Sequence, residues 1–282
     1  MSRITIESIK HKKAENQKIT VLTAYDYSTA KLLDDCGIDI ILIGDSLGMT
    51  MLGYDSTIPV TMKEILYHSK AVSKAVSKAL VLSDMPFMSY QTSIKNAIIN
   101  AGKLIKKSGV NAVKLEGGKE LAPLVSRLSE IGIPVAGHIG LTPQYINNLS
   151  GYKVQGKTKD KIKSLIEDAL VLEESGVFAI ICECIPEEVA KIITEKLNIP
   201  TIGIGAGKYC DGQVLVINDI LGLSGEFRPK FVKQYIDLSV KIKDAVHSFK
   251  KEVDGLTFPD EQHSFHIPNQ ILLDAGLVKW NF

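Results

Sequence analysis

The sequence lacks the features that mark several classes of protein. Neither sign of charge is in excess, since the formal net charge is +1, and hydrophobic residues make up 45% of the 282 residues. These values argue against a disordered chain and against a basic surface for nucleic acid. No apolar run approaches the roughly 20 residues needed to span a membrane. The partners that this composition predicts are small molecules, with no nucleic acid and no membrane.

Cysteine is also scarce, and no apolar segment stands at the start of the sequence. The four cysteines are Cys36, Cys182, Cys184 and Cys210. In a chain of this length, that usage predicts a reducing setting and therefore a cytoplasmic location.

Short aliphatic runs alternate with amphipathic helical patterns along the sequence. The run 40–43 is too short for a helix and too continuous for a half-exposed strand, which is typical of a parallel strand covered on both faces. Eight such strands alternating with helices favour an α/β fold of the (β/α)8 TIM barrel class over an open doubly wound sheet. We predict a single barrel domain over 1–282, with an N-terminal helical segment (1–18), an eighth strand (213–218), a last long helix (229–250) and a C-terminal tail (267–282).

Polar residues stand at the ends of the predicted strands. Side chains two apart on a barrel strand share a face, so Lys114 and Glu116 are predicted to point inward while Val113 faces the helices. The carboxyl-terminal mouth is where barrel enzymes carry out their chemistry. The residues predicted to converge there are Asp45, Asp84, Lys114, Glu116, His138 and Glu183.

Three of these residues are acids on neighbouring strands. Asp45, Asp84 and Glu116 are costly to crowd together unless a cation neutralises them. Because the donors are all oxygen, they indicate a hard ion, Mg²⁺ more than Ca²⁺. The alternative is that each acid caps a helix or pairs with a lysine. A lone histidine at a strand end is more often a wall residue than a base, so His138 is predicted to contact substrate.

Two other motifs have interpretations that require no chemistry. The strand alternation predicts that Cys182 and Cys184 both point outward, and no second Cys or His pair lies nearby, so structural thiols are preferred to a zinc site. The glycine-rich stretch 203–207 follows the seventh strand, where barrels often bind phosphate. It does not fit G-x-G-x-x-G, because position 208 is Lys, and glycines that permit a close backbone approach are the preferred interpretation.

Several motifs, in the same order, resemble the ketopantoate hydroxymethyltransferase (3-methyl-2-oxobutanoate hydroxymethyltransferase) family. The resemblance covers about 3–266 and departs from the family at Ser150, where glycine is usual, and in the tail, which extends beyond the usual end. The motifs are TAYDYS (23–28), GDSLGMT (44–50), DMPFM (84–88), VKLEGG (113–118), GHIGLTP (137–143), GYKVQG (151–156), ECIP (183–186), GIGAG (203–207) and PKFV (229–232).

The resemblance implies an activity and a set of roles. The activity is transfer of a hydroxymethyl group from 5,10-methylenetetrahydrofolate to 3-methyl-2-oxobutanoate, which gives 2-dehydropantoate for pantothenate and coenzyme A synthesis. It implies a Mg²⁺-dependent enzyme assembled as a homodecamer of two pentameric rings. The implied roles are metal ligation by Asp45, Asp84 and Glu116, ketoacid binding by Asp45, Ser46, Asp84 and Lys114, and proton abstraction by Glu183.

Two other functions stay open at this point. Lys114 could form a Schiff base with the ketone, which would make the protein a metal-free aldolase. From a different class, the chain could be a binding or assembly protein that keeps the ketoacid site without turnover. The tail contains Ile271, Leu277 and Trp280 and is predicted to pack on a barrel or subunit surface.

Overall fold

The structure is a computed structural model that describes residues 3–149, 151, 153–225 and 229–277. Its eight strands are parallel and pair in sequence order, and the eighth pairs with the first, so the sheet closes. The predicted barrel is therefore confirmed. The strands are β1 (Ile19–Thr23), β2 (Ile40–Ile43), β3 (Leu80–Asp84), β4 (Ala112–Glu116), β5 (Val135–Gly140), β6 (Ala179–Glu183), β7 (Thr201–Ile204) and β8 (Gly212–Leu215).

Helices connect most of the strands, and their ends follow local sequence signals. The Ser93 side chain accepts a hydrogen bond from Asn96 N at one end of α5, and Gly109 takes the left-handed conformation at the other. The helices are α1 (Ile6–Ala14), α2 (Tyr27–Asp35), α3 (Leu47–Thr50), α4 (Met62–Ala75), α5 (Ile94–Ser108), α6 (Ala122–Glu130), α7 (Ile146–Leu149), α8 (Lys159–Glu174), α9 (Glu187–Lys196), α10 (Ile217–Leu221), α11 (Leu238–Asp254) and α12 (Asn269–Asp274).

The apolar core has two layers because alternate strand residues face opposite sides of the barrel. Ile40 and Leu42 belong to the layer inside the barrel, and Ile41 belongs to the layer between strands and helices. Helix α1, capped by Thr5, closes the amino end of the barrel and buries Ile9 in the inner layer. Aliphatic packing therefore fills the amino-end half of the barrel, and the polar residues lie at its carboxyl end.

Two predicted boundaries are wrong. The last long helix begins at Leu238 rather than at 229, because the Asp237 side chain accepts a hydrogen bond from Val240 N and caps the helix there. Strand β8 ends at Leu215 rather than at 218, because α10 starts at Ile217, whose N–H donates to Thr23 Oγ1 at 3.0 Å. Both differences concern the chain from the end of β8 onward, where buried aliphatic runs no longer mark the ends of helices and strands.

The two C-terminal helices, α11 and α12, are mostly exposed along their length. Neither α11 nor α12 has a buried residue, and 53% of Ile271 is exposed. Packing of the tail on another subunit stays a prediction, and Trp280, like Ser150, lies outside the described residues. Within the described ranges, we find no helix that combines the length and the apolar character needed to cross a membrane.

Candidate active site

Three acids meet at the carboxyl end of strands β2, β3 and β4. Asp45 lies in the turn after β2, whereas Asp84 and Glu116 are the last residues of their strands. One carboxylate oxygen from each lies within 4.8 Å of the others, and all three residues are buried. We call these residues the carboxylate cluster. The sequence-based expectation that they converge is met by this geometry.

One lysine lies against the carboxylate cluster. Lys114 Nζ is 3.1 Å from Asp84 Oδ1 and 3.4 Å from Glu116 Oε1. The backbone N–H of Asp45 donates to Asp84 Oδ2 at 2.9 Å, which ties the turn after β2 to β3. Among the described residues, the Lys114 ammonium and the His138 ring, whose Nδ1 lies 3.3 Å from Glu116 Oε1, thus face three buried carboxylates, so positive charge remains short.

The pKa values of these groups reflect that shortage. Burial raises the pKa of Asp45 well above its usual value, and the neighbouring Glu116 and Asp84 raise it further. Burial also raises the pKa of Asp84, against the effect of Lys114. For Glu116, burial acts in the same direction, but Lys114 and His138 outweigh it and lower the pKa to about 2. Burial lowers the pKa of Lys114, but the three acids outweigh it and raise that pKa above its ordinary value.

The carboxylate cluster fits a hard divalent cation. Its donors are all carboxylate oxygens, which is the set that Mg²⁺ prefers. The buried Oδ1 of Asp84 has no well-aligned hydrogen bond within the described part of the chain, although Lys114 Nζ lies 3.1 Å away. A cation placed here would supply the missing positive charge and counteract the raised pKa of Asp45.

His138 on β5 links the lysine to a carboxylate on the far side of the mouth. Its Nδ1 lies 3.0 Å from Lys114 Nζ, and its Nε2 lies 3.2 Å from Glu183 Oε2 at the end of β6. Burial and Lys114 lower the pKa of His138, but Glu116 and Glu183 raise it more, to about 9. Since both ring nitrogens face protein groups, the predicted contact between His138 and substrate stays a prediction.

The backbone around Glu183 is fixed by a glycine on the neighbouring strand. Gly140 at the end of β5 has φ 96°, and a Cβ on it would lie 2.2 Å from Glu183 O. That carbonyl instead accepts a hydrogen bond from Leu141 N at 2.8 Å. The close approach needs glycine, and it holds Glu183 at the rim, where 16% of its side chain stays exposed.

Three polar residues that the sequence did not single out support the site. The hydroxyl of Tyr25 is 2.8 Å from Ser46 Oγ, and Tyr90 OH lies 2.8 Å from Gln144 Oε1, which is beside the carboxylate cluster. Tyr25 belongs to a motif that supported the family resemblance, whereas Gln144 directly follows Thr142-Pro143 in the loop after β5. A polar residue directly after a strand-end Thr-Pro turn is the one sequence signal that could have pointed to Gln144.

The cysteine pair and the glycine-rich stretch 203–207 are the two remaining motifs. Cys182 packs in the layer between strands and helices, as predicted. Cys184 lies just past the end of β6 with φ 48°, so the strand alternation does not extend to it. In the glycine-rich stretch, a Cβ on Gly205 would lie 2.8 Å from the Phe231 ring and one on Gly207 would lie 2.4 Å from Glu187 Cγ, which supports the close-approach interpretation.

Comparison with known proteins identifies relatives along most of the chain. A model of the family described as ketopantoate hydroxymethyltransferase matches residues 3–261. A 3-methyl-2-oxobutanoate hydroxymethyltransferase from Thermoanaerobacter sp. (strain X514) is 55% identical over 263 residues, which cover 93% of this chain and 96% of that protein. The protein of the same name from Clostridium botulinum (strain Loch Maree / Type A3) is 54% identical over 270 residues, covering 96% and 98%.

Solved structures similar to this one share its fold at low identity. A phosphonopyruvate hydrolase in complex with oxalate and Mg²⁺ superposes with a TM-score of 0.60 and 12% identity, over 98% of this chain and 95% of that one. A 2,3-dimethylmalate lyase, described as a member of the PEP mutase/isocitrate lyase superfamily, gives 0.57 and 12%, over 98% and 96%. These likenesses support the barrel fold.

Proposed function

The chain belongs to the ketopantoate hydroxymethyltransferase family, and we propose that its carboxylate cluster, Lys114 and Glu183 carry out that family's reaction. The enzyme transfers a hydroxymethyl group to 3-methyl-2-oxobutanoate in pantothenate biosynthesis, with 5,10-methylenetetrahydrofolate as co-substrate. One observation supports this assignment of residues: three buried carboxylates meet at the barrel mouth, and one oxygen of each lies within 4.8 Å of the others.

Asp45, Asp84 and Glu116 would hold a divalent cation, which we propose is Mg²⁺ because all the donors are oxygen. When bound, such an ion supplies Lewis-acid stabilisation of negative charge on the oxygens of a 2-oxo acid.

Lys114 and Ser46 would bind the ketoacid from two sides. Lys114 carries a positive charge, because neighbouring acids raise its pKa, and it would attract the oxygen on which negative charge develops. Ser46 directly follows Asp45, and its hydroxyl lies 2.8 Å from the Tyr25 hydroxyl. With Tyr25 as the donor in that hydrogen bond, the Ser46 hydroxyl would be free to donate to the substrate carboxylate.

Glu183 would act as the base that removes the proton from C3 of the ketoacid. It ends β6, two strands from β4, and the His138 ring, 3.3 Å from Glu116 Oε1 and 3.2 Å from Glu183 Oε2, stands between it and the carboxylate cluster. His138 Nε2 lies 3.2 Å from Oε2 without a well-aligned hydrogen bond in the described part of the chain, so it would act on this carboxylate as an ion-pair partner. In the overall transfer, C3 would form a bond to the methylene carbon of the folate while both bonds from that carbon to folate nitrogens break. Water would supply the oxygen of the new hydroxyl group, and the proton from C3 and one proton from water would pass to the two nitrogens, which leaves tetrahydrofolate.

The structure disfavours the Schiff-base alternative. A lysine that forms a Schiff base needs a lowered pKa so that its amine is neutral. The acids around Lys114 instead raise its pKa, and its Nζ is engaged by Asp84 and Glu116. Borohydride treatment in the presence of ketoacid should therefore trap no adduct on Lys114.

The deciding experiment is formation of labelled 2-dehydropantoate from labelled ketoacid and methylenetetrahydrofolate. We expect product with Mg²⁺, no product in excess EDTA, and recovery when Mg²⁺ is restored. Full turnover in EDTA would contradict the metal role, and tight ketoacid binding without any turnover would favour the binding-protein alternative. The cytoplasmic location, which rests on cysteine usage, and the homodecamer, which rests on the resemblance, are parts of the same proposal.

A further inference from the structure

One buried glutamine contacts two of the three acids in the carboxylate cluster. Gln144 Nε2 donates to Asp45 Oδ2 at 2.8 Å and to Met85 O at 2.9 Å. The backbone N–H of the same residue donates to Glu116 Oε2 at 3.0 Å. Gln144 is only 2% exposed. A residue from the loop after β5 thus holds acids from β2 and β4.

The orientation of the Gln144 amide is determined by its neighbours. The Asp45 carboxylate and the Met85 carbonyl are both acceptors, so the NH₂ group must face them. The amide oxygen then faces Tyr90 OH at 2.8 Å and Gln91 Nε2 at 3.2 Å, both of which can donate. Both ends of the amide are engaged, which fixes the side chain in one position.

We propose that Gln144 is a positioning residue that presents Asp45 and Glu116 to the divalent cation. Its amide donates to Oδ2 of Asp45 and its backbone N–H donates to Oε2 of Glu116, so it fixes the orientation of two carboxylates that would hold the ion. Asp45 particularly needs such a support because it lies in a turn beyond the end of β2, beside two like charges. Outer-shell partners of this kind typically change metal affinity when they are removed. This inference rests on the proposed metal site.

The test is direct titration with Mn²⁺, in which electron paramagnetic resonance measures the free ion and no turnover is needed. We expect Gln144→Leu to bind Mn²⁺ about 10- to 100-fold more weakly than the unmodified enzyme. The matched control is Gln91→Leu, which removes a partner of the Gln144 amide but touches no carboxylate of the cluster, and should bind within about twofold.

A second readout separates positioning from general damage. The Mn²⁺ concentration that half-saturates exchange of the ketoacid C3 proton should rise in Gln144→Leu by the same factor as the dissociation constant. The exchange rate at saturating Mn²⁺ should stay within a few-fold of the unmodified enzyme. Unchanged Mn²⁺ affinity in a folded Gln144→Leu variant would overturn the proposal.

Two further variants keep the result interpretable. Should Gln144→Leu fail to fold, Gln144→Glu keeps the size and the acceptor for Tyr90 but replaces the donor facing Asp45 with an oxygen. It should also lose Mn²⁺ affinity, and normal affinity would overturn the proposal. Asp45→Asn is titrated in parallel: if it binds Mn²⁺ normally, the proposed metal site itself is wrong. If it loses binding while the Gln144 variants keep it, only the positioning role fails.

Discussion

An aspartate flanks strand β2 at each end, and the two aspartates lie in opposite electrostatic environments. Asp39, before the strand, pairs with Lys12 and accepts hydrogen bonds from Thr20 N and Thr20 Oγ1 at 2.9 and 3.0 Å. Asp45, after the strand, lies beside two further acids, and burial raises its pKa. Asp39 thus has its own ion pair and hydrogen bonds, whereas Asp45 shares the nearby Lys114 with two other acids.

The same arrangement occurs a second time at the amino end. Asp211 pairs with Lys13 at 2.8 Å and accepts hydrogen bonds from Thr201 N and Thr201 Oγ1 at 2.9 and 3.1 Å. Both lysines come from α1, so each ion pair attaches this helix to the barrel. The two ends therefore differ in how their acids are paired: each of these amino-end acids has its own cation and amide donor, whereas the three proposed metal ligands share too few.

The largest effect should come from removing the charge of Asp45. We expect Asp45→Asn to lower turnover by at least about 100-fold, because the ion and ketoacid that Asp45 is proposed to hold would bind weakly without its charge. In metal-free buffer, its urea midpoint should equal or exceed that of the unmodified enzyme, since a repulsive charge is gone. A large drop in that midpoint would mean that Asp45, like Asp39, is structural.

The matched change at the other end of β2 should have the opposite outcome. We expect Asp39→Asn to lower the free energy of unfolding by about 2 to 3 kcal/mol, because Lys12 loses its partner at a mostly buried position. Turnover per folded enzyme should stay unchanged. Urea titration and the product assay, run on the same preparation, check both expectations; lost activity in a fully folded sample would contradict the comparison.

A third acid at the amino end of the barrel, Asp34, makes the free energy of unfolding depend on pH. Burial acts to raise the pKa of Asp34, but hydrogen bonds from Ala79, Ser77 and Lys78 outweigh it and lower the pKa to about 2. Because the unfolded chain binds this proton first as pH falls, the stabilisation is complete above about pH 5 and is lost towards pH 2.

We therefore expect Asp34→Asn to be about 2 kcal/mol less stable at pH 7. The gap to the unmodified enzyme should narrow below about pH 4. Urea midpoints for both proteins from pH 7 to pH 3 provide the measurement, and a gap that widens on acidification would refute the assignment.

The smallest effect should come from Cys182, which lies on the helix-facing side of β6 next to Glu183. We expect Cys182→Ala to cost about 1 kcal/mol of stability, because it leaves a small cavity, and to preserve turnover. A folded variant with a collapsed rate would show that the two faces of β6 are not independent.

The sequence predicted the barrel and its mouth because both depend on local patterns. Runs such as 40–43 identify buried parallel strands, and strand alternation alone placed Lys114 and Glu116 on one face. Gln144 could not be predicted in this way, because its bond to Asp45 joins residues 99 positions apart through an irregular loop. Contacts made by loops follow no period, so they become visible only when the strands are closed into a barrel.

The most direct test of the account is exchange of the ketoacid C3 proton in heavy water, without folate. Glu183→Gln removes the proposed base but leaves the carboxylate cluster intact. We expect this variant to bind Mn²⁺ and 3-methyl-2-oxobutanoate as the unmodified enzyme does and to lose exchange by about 100-fold or more. Normal exchange in Glu183→Gln, or failure to bind the ketoacid at all, would contradict the separation of base and metal site.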